Sequence, residues 1–276
     1  MYLILYGLFV AGITIGLSVL GLFIAHKFFK PDELKHNNVV ADSLLQVTGT
    51  LYAVLLGLLV VHAMDRFQEA RLNVENEAIA VADTFQLAAA LPSGPREALQ
   101  ADCIAYAESV IEDEWENMDD PEASQKAWEL LDRIWNQVIS FTPDTKREKF
   151  IYPLLLDASE QLNDCRRIRL VTCRTKVSPI LWIVILTGAA TIIIFTYVFG
   201  THNRRGHMFM TAMCAMILSL NIFLWSIYSN PFYGLLKVAP EAFKMDLENF
   251  KYYMANPDSL RWHKIEDIKS KRGRNH

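Results

Sequence analysis

The sequence lacks the short motifs that carry most enzyme chemistry. It contains no GxSxG, P-loop, HExxH, GxGxxG or kinase pattern, and its seven histidines are scattered. Cys103 and Cys165, the candidate nucleophiles, have no histidine at a spacing that suggests activation. The four cysteines also lack CxxC or metal-ligand spacing. We therefore expect no enzyme activity, no cofactor and no metal centre.

Charge is absent from four long apolar stretches, which lie in two pairs. A helix rises about 1.5 Å per residue, so roughly 20 residues cross a hydrocarbon core of about 30 Å. The first stretch is too long for a signal peptide and follows no charged side chain. The stretches are 3–25 and 43–64, then 177–200 and 208–228. These lengths predict four transmembrane helices, with the lipid bilayer as a partner. The net charge of -4 gives no reason to expect nucleic acid.

Between the two pairs lies a polar segment, 65–176, that shows no strand-like alternation. Proline breaks at Pro92 to Pro95, Asp120-Pro121 and Thr142-Pro143 divide it. The predicted helices are 65–91, 95–119, 121–140 and 144–177. Neither junction with the membrane contains Gly or Pro before Pro179, so we expect the first helix to continue span two and the last to run into span three. The predicted fold is all-α, with this helical stalk inserted between residues 1–64 and 177–228, and a C-terminal segment, 229–276, that carries a short helix and a basic tail.

Apolar residues recur at helical spacing in each stalk helix and predict its inward face. They are Val74, Ala78, Val81 and Phe85; Ile104, Ile111 and Trp115; Leu131, Ile134, Val138 and Phe141; and Leu155, Ala158, Leu162 and Cys165. Six carboxylates fall between Glu112 and Asp120 without the spacing or turn glycine of an EF-hand. We interpret that stretch as a solvated helix face rather than a calcium site.

Positive charges near the span ends bear on orientation. The short loops carry Lys27, Lys30, Lys35, Arg204 and Arg205. The opposite side carries Arg66, Arg71, Arg166, Arg167, Arg169, Arg174, Lys176, Lys237 and Lys244. Nine charges against five, together with the basic tail, favour cytoplasmic termini and a cytoplasmic stalk.

Span two ends in a recognisable stretch, Met64-Asp65-Arg66-Phe67-Gln68-Glu69-Ala70-Arg71. It resembles the YDRWWEAR-type signature of bestrophins, except that the first and third aromatic positions are Met64 and Gln68. Most of the chain resembles the bacterial bestrophin-like domain membrane proteins, through the motifs His36-Asn37, Leu51 to Leu56, Tyr106-Ala107-Glu108, Glu112 to Trp115, Asn230-Pro231-Phe232 and Val238 to Phe243.

The resemblance implies an oligomeric ion channel of a bacterial inner membrane, a homopentamer that conducts anions such as chloride. Span two would line the pore, with an apolar neck at Thr50, Val54 and Leu58, and with His62 one turn further along. Bestrophin necks carry bulkier Ile and Phe, so this neck would be wider or the number of subunits lower.

Other interpretations of these residues remain open. The neck residues could instead pack against neighbouring helices, and His62 could be an interfacial histidine with a water or carbonyl partner. Gly49, Ala53 and Gly57 form an adjacent face suited to close helix packing. Asp65, Arg66, Glu69 and Arg71 could form ion pairs or an anion-attracting vestibule. The alternative function is a membrane scaffold or signalling protein that does not conduct and whose stalk binds a partner.

Overall fold

The computed structural model describes residues 2–28, 38–115, 117, 125–198 and 203–256. Within these residues every regular element is a helix, as predicted for an all-α protein. The helices are α1 (Tyr2–Phe28), α2 (Asn38–Ala88), α3 (Ser93–Ser109), α4 (Gln125–Ser140), α5 (Lys146–Arg174), α6 (Pro179–Tyr197), α7 (Arg204–Tyr228) and α8 (Glu241–Ala255). A π-helical turn, Val110–Glu114, continues α3.

Four of these helices are long and apolar enough to cross a membrane, which confirms the predicted number of spans. They are α1, α2, α6 and α7. Helix α2 has 51 residues and extends well beyond the length that a bilayer needs. The prediction that the first stalk helix continues span two is therefore confirmed.

The chain divides into two compact units. A membrane unit comprises residues 1–69 and 176–238, and a stalk unit comprises residues 70–175 and 239–276. The C-terminal helix α8 thus belongs to the same unit as the insert. Its Phe250 ring stacks on Phe85 of α2 with the ring centroids 4.3 Å apart.

Three glycines in the membrane unit each face an aromatic ring of another helix. The pairs are Gly7 with Phe223, Gly21 with Tyr197, and Gly188 with Tyr52. A Cβ atom at any of the three positions would overlap that ring, so only glycine lets the helices approach this closely. We call these the aromatic–glycine contacts. Two of the rings are also held by hydrogen bonds from their hydroxyls. The Tyr52 hydroxyl donates to the Ile185 carbonyl and the Tyr197 hydroxyl to the Ser18 carbonyl, each over 2.8 Å.

The stalk unit has its own apolar core. The predicted inward face of α2 is buried throughout, and so are most predicted positions of α4 and α5. In α3 the predicted face is wrong, because Ile104 is only half-buried and the buried residues are instead Leu99, Cys103, Tyr106 and Val110. These positions also follow helical spacing, but the tyrosine and cysteine among them made the stripe less evident in the sequence.

Two predicted helix ends are wrong. Helix α5 begins after Thr145 and not at the predicted Thr142-Pro143 cap. Thr145 and Glu148 form a capping box: the Thr145 hydroxyl accepts a hydrogen bond from the Glu148 amide, and the Glu148 carboxylate accepts one from the Thr145 amide. At its other end α5 stops at Arg174 and does not run into span three. Proline disfavours helical backbone at the residue before it, which is Ser178. Ser178 therefore caps the N-terminus of α6, and Pro179 lies in the first turn of that helix.

Several predictions fall outside the described residues. They concern Lys30, Lys35, His36-Asn37, the Asp120-Pro121 cap, and the basic tail from Lys269 to Arg274. Within the described part of the acidic stretch, Glu112 is exposed as predicted, whereas Glu114 is buried.

Candidate pore helix and a buried charge cluster

One face of α2 is fixed inside the membrane unit. Tyr52, Leu56, Val60 and Ala63 are buried in a cluster with residues of α6 and α7. The spacing of four, four and three residues is that of a single helical face. This face is held both by apolar packing and by the Tyr52 hydrogen bond to α6.

The predicted pore residues lie on other faces of the same helix. Thr50 and His62 are exposed, Val54 is 57% exposed and Leu58 is 66% exposed. Thr50 satisfies its hydroxyl by donating to the Gln46 carbonyl one turn earlier, over 2.7 Å. From Thr50 to Leu58 the helix rises about 12 Å, so the three side chains would form a neck of about that length. Within one chain, none of the four is buried by another helix.

The small-residue face of α2 is open as well. A Cβ atom at Gly49 or Gly57 would meet no atom within 4 Å among the described residues, and Ala53 is exposed. In contrast to Gly188, these glycines do not accommodate a ring of their own chain. Their small size is therefore not explained by packing within the membrane unit.

The signature stretch follows directly on α2. Phe67 packs edge-on against Tyr228 of α7, with ring centroids 5.3 Å apart. Asp65 and Glu69 are exposed, and Arg66 is half-buried. Arg71 pairs with Glu75 one turn along, Nε to Oε1 over 3.0 Å, an exposed pair that contributes little to stability.

Comparison with known families explains the signature stretch. A family model described as the Bestrophin-like domain matches residues 12–243. The chain belongs to the Bestrophin-like domain family. The match includes all of α2 through α7, so the resemblance noted at Asp65 to Arg71 extends over most of the chain. Among curated proteins, no sequence matches the chain.

Solved structures show the same fold at low sequence identity. A bacterial bestrophin homologue from Klebsiella pneumoniae with an isoleucine-to-threonine mutation aligns with a TM-score of 0.66 at 14% identity, covering 87% of this chain and 98% of that chain. The Klebsiella pneumoniae homologue solved by Zn-SAD phasing aligns with a TM-score of 0.61 at 16% identity, over 86% and 96%. A further membrane-protein structure aligns with a TM-score of 0.68 at 14% identity, over 87% and 97%.

The stalk unit of this bestrophin-like protein contains a buried charge cluster that the sequence interpretation missed. It consists of Glu77 on α2, Glu114 in the π-helical turn, and Arg166 and Arg169 on α5, all 0–1% exposed. Arg169 donates from Nε to Glu77 Oε2 over 2.6 Å and from Nη2 to Glu77 Oε1 and Glu114 Oε2 over 2.9 Å. Arg166 donates from Nη1 to Glu114 Oε2 over 3.0 Å.

Aromatic side chains complete the charge cluster. The Tyr106 hydroxyl donates to Glu77 Oε1 over 2.6 Å, while the Trp128 ring lies 4.8 Å from the Arg166 guanidinium and the Trp115 ring 5.4 Å from that of Arg169. Burial and the Glu77 charge raise the pKa of Tyr106, which therefore stays a protonated donor. Burial opposes the charge on Arg169, but the carboxylates outweigh it and raise the pKa of the guanidinium. Two positive and two negative charges thus neutralise one another away from water.

Glu114 joins the charge cluster from within the π-helical turn. The Trp115 amide bonds to the Val110 carbonyl five residues back, over 3.0 Å, which adds one residue to the turn. The Glu114 side chain is buried in the cluster, while Asp113 stays near the surface and pairs with Lys126 over 2.8 Å.

A signal for the charge cluster was present in α5. The apolar stripe Leu155, Ala158 and Leu162 leads in register to Arg166 and Arg169. Charged residues on an otherwise buried stripe indicate buried, paired charges. Two of the nine cations that favoured a cytoplasmic stalk are therefore neutralised in the core and carry less weight in the orientation argument.

Proposed function

We propose that this bestrophin-like protein is an anion channel, conducting chloride as a homopentamer, in which α2 of each subunit lines the pore. Thr50, Val54 and Leu58 form the apolar neck, and His62 lies at its end. The family membership and the bestrophin fold support an ion channel. The exposure of Leu58 opposite a buried face of α2 supports the choice of pore face.

The exposed side of α2 has no helix against it among the described residues of its own subunit. Tyr52, Leu56, Val60 and Ala63 hold the helix against its own subunit, and the opposite side needs another partner. A ring of subunits would supply it: Gly49, Ala53 and Gly57 suit contact with a neighbouring helix, and the neck residues face the axis. Small and medium apolar side chains around an axis form a gate that conducts when it is wide enough to be wetted.

The charges near the neck favour an anion. Residues 43–64 contain no Asp, Glu, Lys or Arg. Arg66 and Arg71 follow within three turns of His62. In a vestibule their guanidinium groups would attract anions and offset the Asp65 and Glu69 carboxylates of the same stretch. Proton- or cation-coupled transport, in contrast, usually requires carboxylates in the spans.

Chloride flux from proteoliposomes made with the full chain tests the proposal. Leu58→Ala should increase the flux because it widens the neck, and Leu58→Trp should reduce it to the level of liposomes without protein. Leu17→Trp is a matched control, because Leu17 on α1 is also an exposed leucine, at 64% against 66% for Leu58. It should leave the flux unchanged.

Three outcomes would overturn the proposal. If the wild-type protein gives no flux, or if Leu17→Trp blocks as strongly as Leu58→Trp, α2 does not line a pore. An oligomer without α2 on its symmetry axis would have the same meaning. The protein would then be better described as a scaffold, the alternative in which the stalk binds a partner.

A further inference from the structure

A small cavity opens in the membrane unit between the end of α1 and the beginning of α7. It is lined by Leu22, Phe23, His26, Lys27, Arg204 and Met208, and its volume is about 220 Å³. At about 30 Å³ per water molecule, this is the space of roughly seven waters. It does not belong to the α2 face described above.

The lining of the cavity has two distinct parts. An apolar wall lines the side of the cavity that faces the spans, and it consists of Leu22, Phe23 and Met208. Leu22 is only 1% exposed. His26, Lys27 and Arg204 form a basic rim where the candidate spans end or begin. The cavity therefore lies at the level where lipid headgroups meet acyl chains.

The basic rim has no acidic partner among the residues that the structure describes. Among the described residues, no ion pair involves Lys27 or Arg204, and every described salt bridge joins residues of the stalk unit. Asp32 and Glu33 follow in the sequence but lie outside the described residues. The first turn of α7 adds the positive end of its dipole at Arg204.

A buried histidine lies behind the rim. His207 is 5% exposed, and its Nε2 donates to the Thr196 carbonyl over 2.8 Å. Its ring packs edge-on against His26, with centroids 5.3 Å apart. Its Nδ1 has no hydrogen-bond partner among the described residues. With Nε2 donating, Nδ1 of the neutral ring is an acceptor, so His207 supports the rim by packing against His26 and does not contact an anion.

We propose that this cavity binds the headgroup phosphate of an anionic phospholipid. Lys27 and Arg204 would contact the phosphate, and the apolar wall would contact the glycerol and first acyl carbons. An anion in solution would use only the basic rim, whereas a phospholipid uses both parts of the lining. Arg and Lys side chains form strong, charge-assisted hydrogen bonds with phosphate oxygens.

Native mass spectrometry of the full chain in detergent tests this proposal. Phosphatidylglycerol should bind more tightly than phosphatidylcholine with the same acyl chains. Arg204→Gln should weaken the binding of phosphatidylglycerol by about tenfold or more, because it removes a hydrogen bond between two charged groups. Arg205→Gln is the matched control: it removes the same charge at the neighbouring exposed position, which does not line the cavity, and should change binding less than about twofold.

Three results would overturn the proposal. Equal binding of the two lipids would mean that the headgroup charge is not recognised. Equal effects of Arg204→Gln and Arg205→Gln would indicate diffuse surface attraction rather than a site. Displacement of the lipid by inorganic phosphate at physiological concentration would assign the cavity to a free anion. Size-exclusion profiles of both exposed-site variants verify that each is folded.

Discussion

The charge cluster of the stalk unit should be essential for stability, and Arg169→Met tests this directly. The methionine side chain is nearly as long as that of arginine, but it cannot form the three hydrogen bonds to Glu77 and Glu114. Those carboxylates would remain buried, with one guanidinium in place of two. Among the described contacts, Glu77 would keep only the Tyr106 hydroxyl.

Removing one partner of a buried ion pair costs about 3–5 kcal/mol, because the other charge is left uncompensated. For a unit of this size, about 2–4 °C in Tm corresponds to each kcal/mol, so we expect Tm to fall by about 6–20 °C. Arg167→Met is the matched control, because Arg167 is exposed on the same helix. An exposed substitution should change stability by less than about 0.5 kcal/mol and therefore Tm by less than about 2 °C.

Thermal unfolding of the full chain in detergent, followed by tryptophan fluorescence, provides the assay, because Trp115 lies against Arg169 and Trp128 against Arg166. Glu77→Gln combined with Arg169→Met should be less destabilising than the sum of the two single variants, with a coupling of about 0.5–3 kcal/mol. If Arg169→Met lowers Tm no more than Arg167→Met, or if the effects of Glu77→Gln and Arg169→Met simply add, the charge cluster does not stabilise the stalk unit.

Two further predictions concern α8 and the aromatic–glycine contacts. Burial and the Asp83 charge raise the pKa of Asp246 to about 6, so the folded state gains stability on protonation and loses it as the pH rises from about 4 through 6. In thermal melts, Asp246→Asn should raise Tm at about pH 7.5 and leave it unchanged near pH 4; an equal gain at both pH values would contradict this. Gly188→Ala should lower the free energy of unfolding by about 1–3 kcal/mol, because the new Cβ atom overlaps the Tyr52 ring. Gly16→Ala is the control and should not lower it, because a Cβ atom at Gly16 meets no atom within 4 Å. Equal Tm values of the two variants in the same melts would contradict the overlap at Gly188.

Hydrophobicity and spacing predicted the parts of this fold that depend on them. Each span needs about 20 uncharged residues, which a sequence displays directly, and the inward face of α2 repeats every three to four residues at Val74, Ala78 and Val81. The extended length of α2 followed from the absence of Gly and Pro between the span and the stalk.

The features that the sequence did not predict depend on tertiary partners. Arg169 lies on the buried stripe of α5, but its partner Glu77 is 92 residues away, so the sequence does not show which charges pair. The π-helical turn that holds Glu114 is a local departure from the α-helix that a regular spacing does not encode. The break between α5 and α6 falls at residues 175–178, just before Pro179, which disfavours helical backbone at Ser178.

The aromatic–glycine contacts also restrict how the membrane unit can move. A ring inserted at Gly188 or Gly21 must withdraw before either helix slides along its neighbour, and a slide of one turn is about 5.4 Å. The hydroxyls of Tyr52 and Tyr197 also oppose sliding of the helices, because each is hydrogen-bonded to one backbone carbonyl of a neighbouring helix. Piston-like motion between these spans is therefore disfavoured, and the remaining freedom is small rocking about each glycine. During evolution, a larger residue at Gly188 would require a smaller one at position 52, so the two positions should change together.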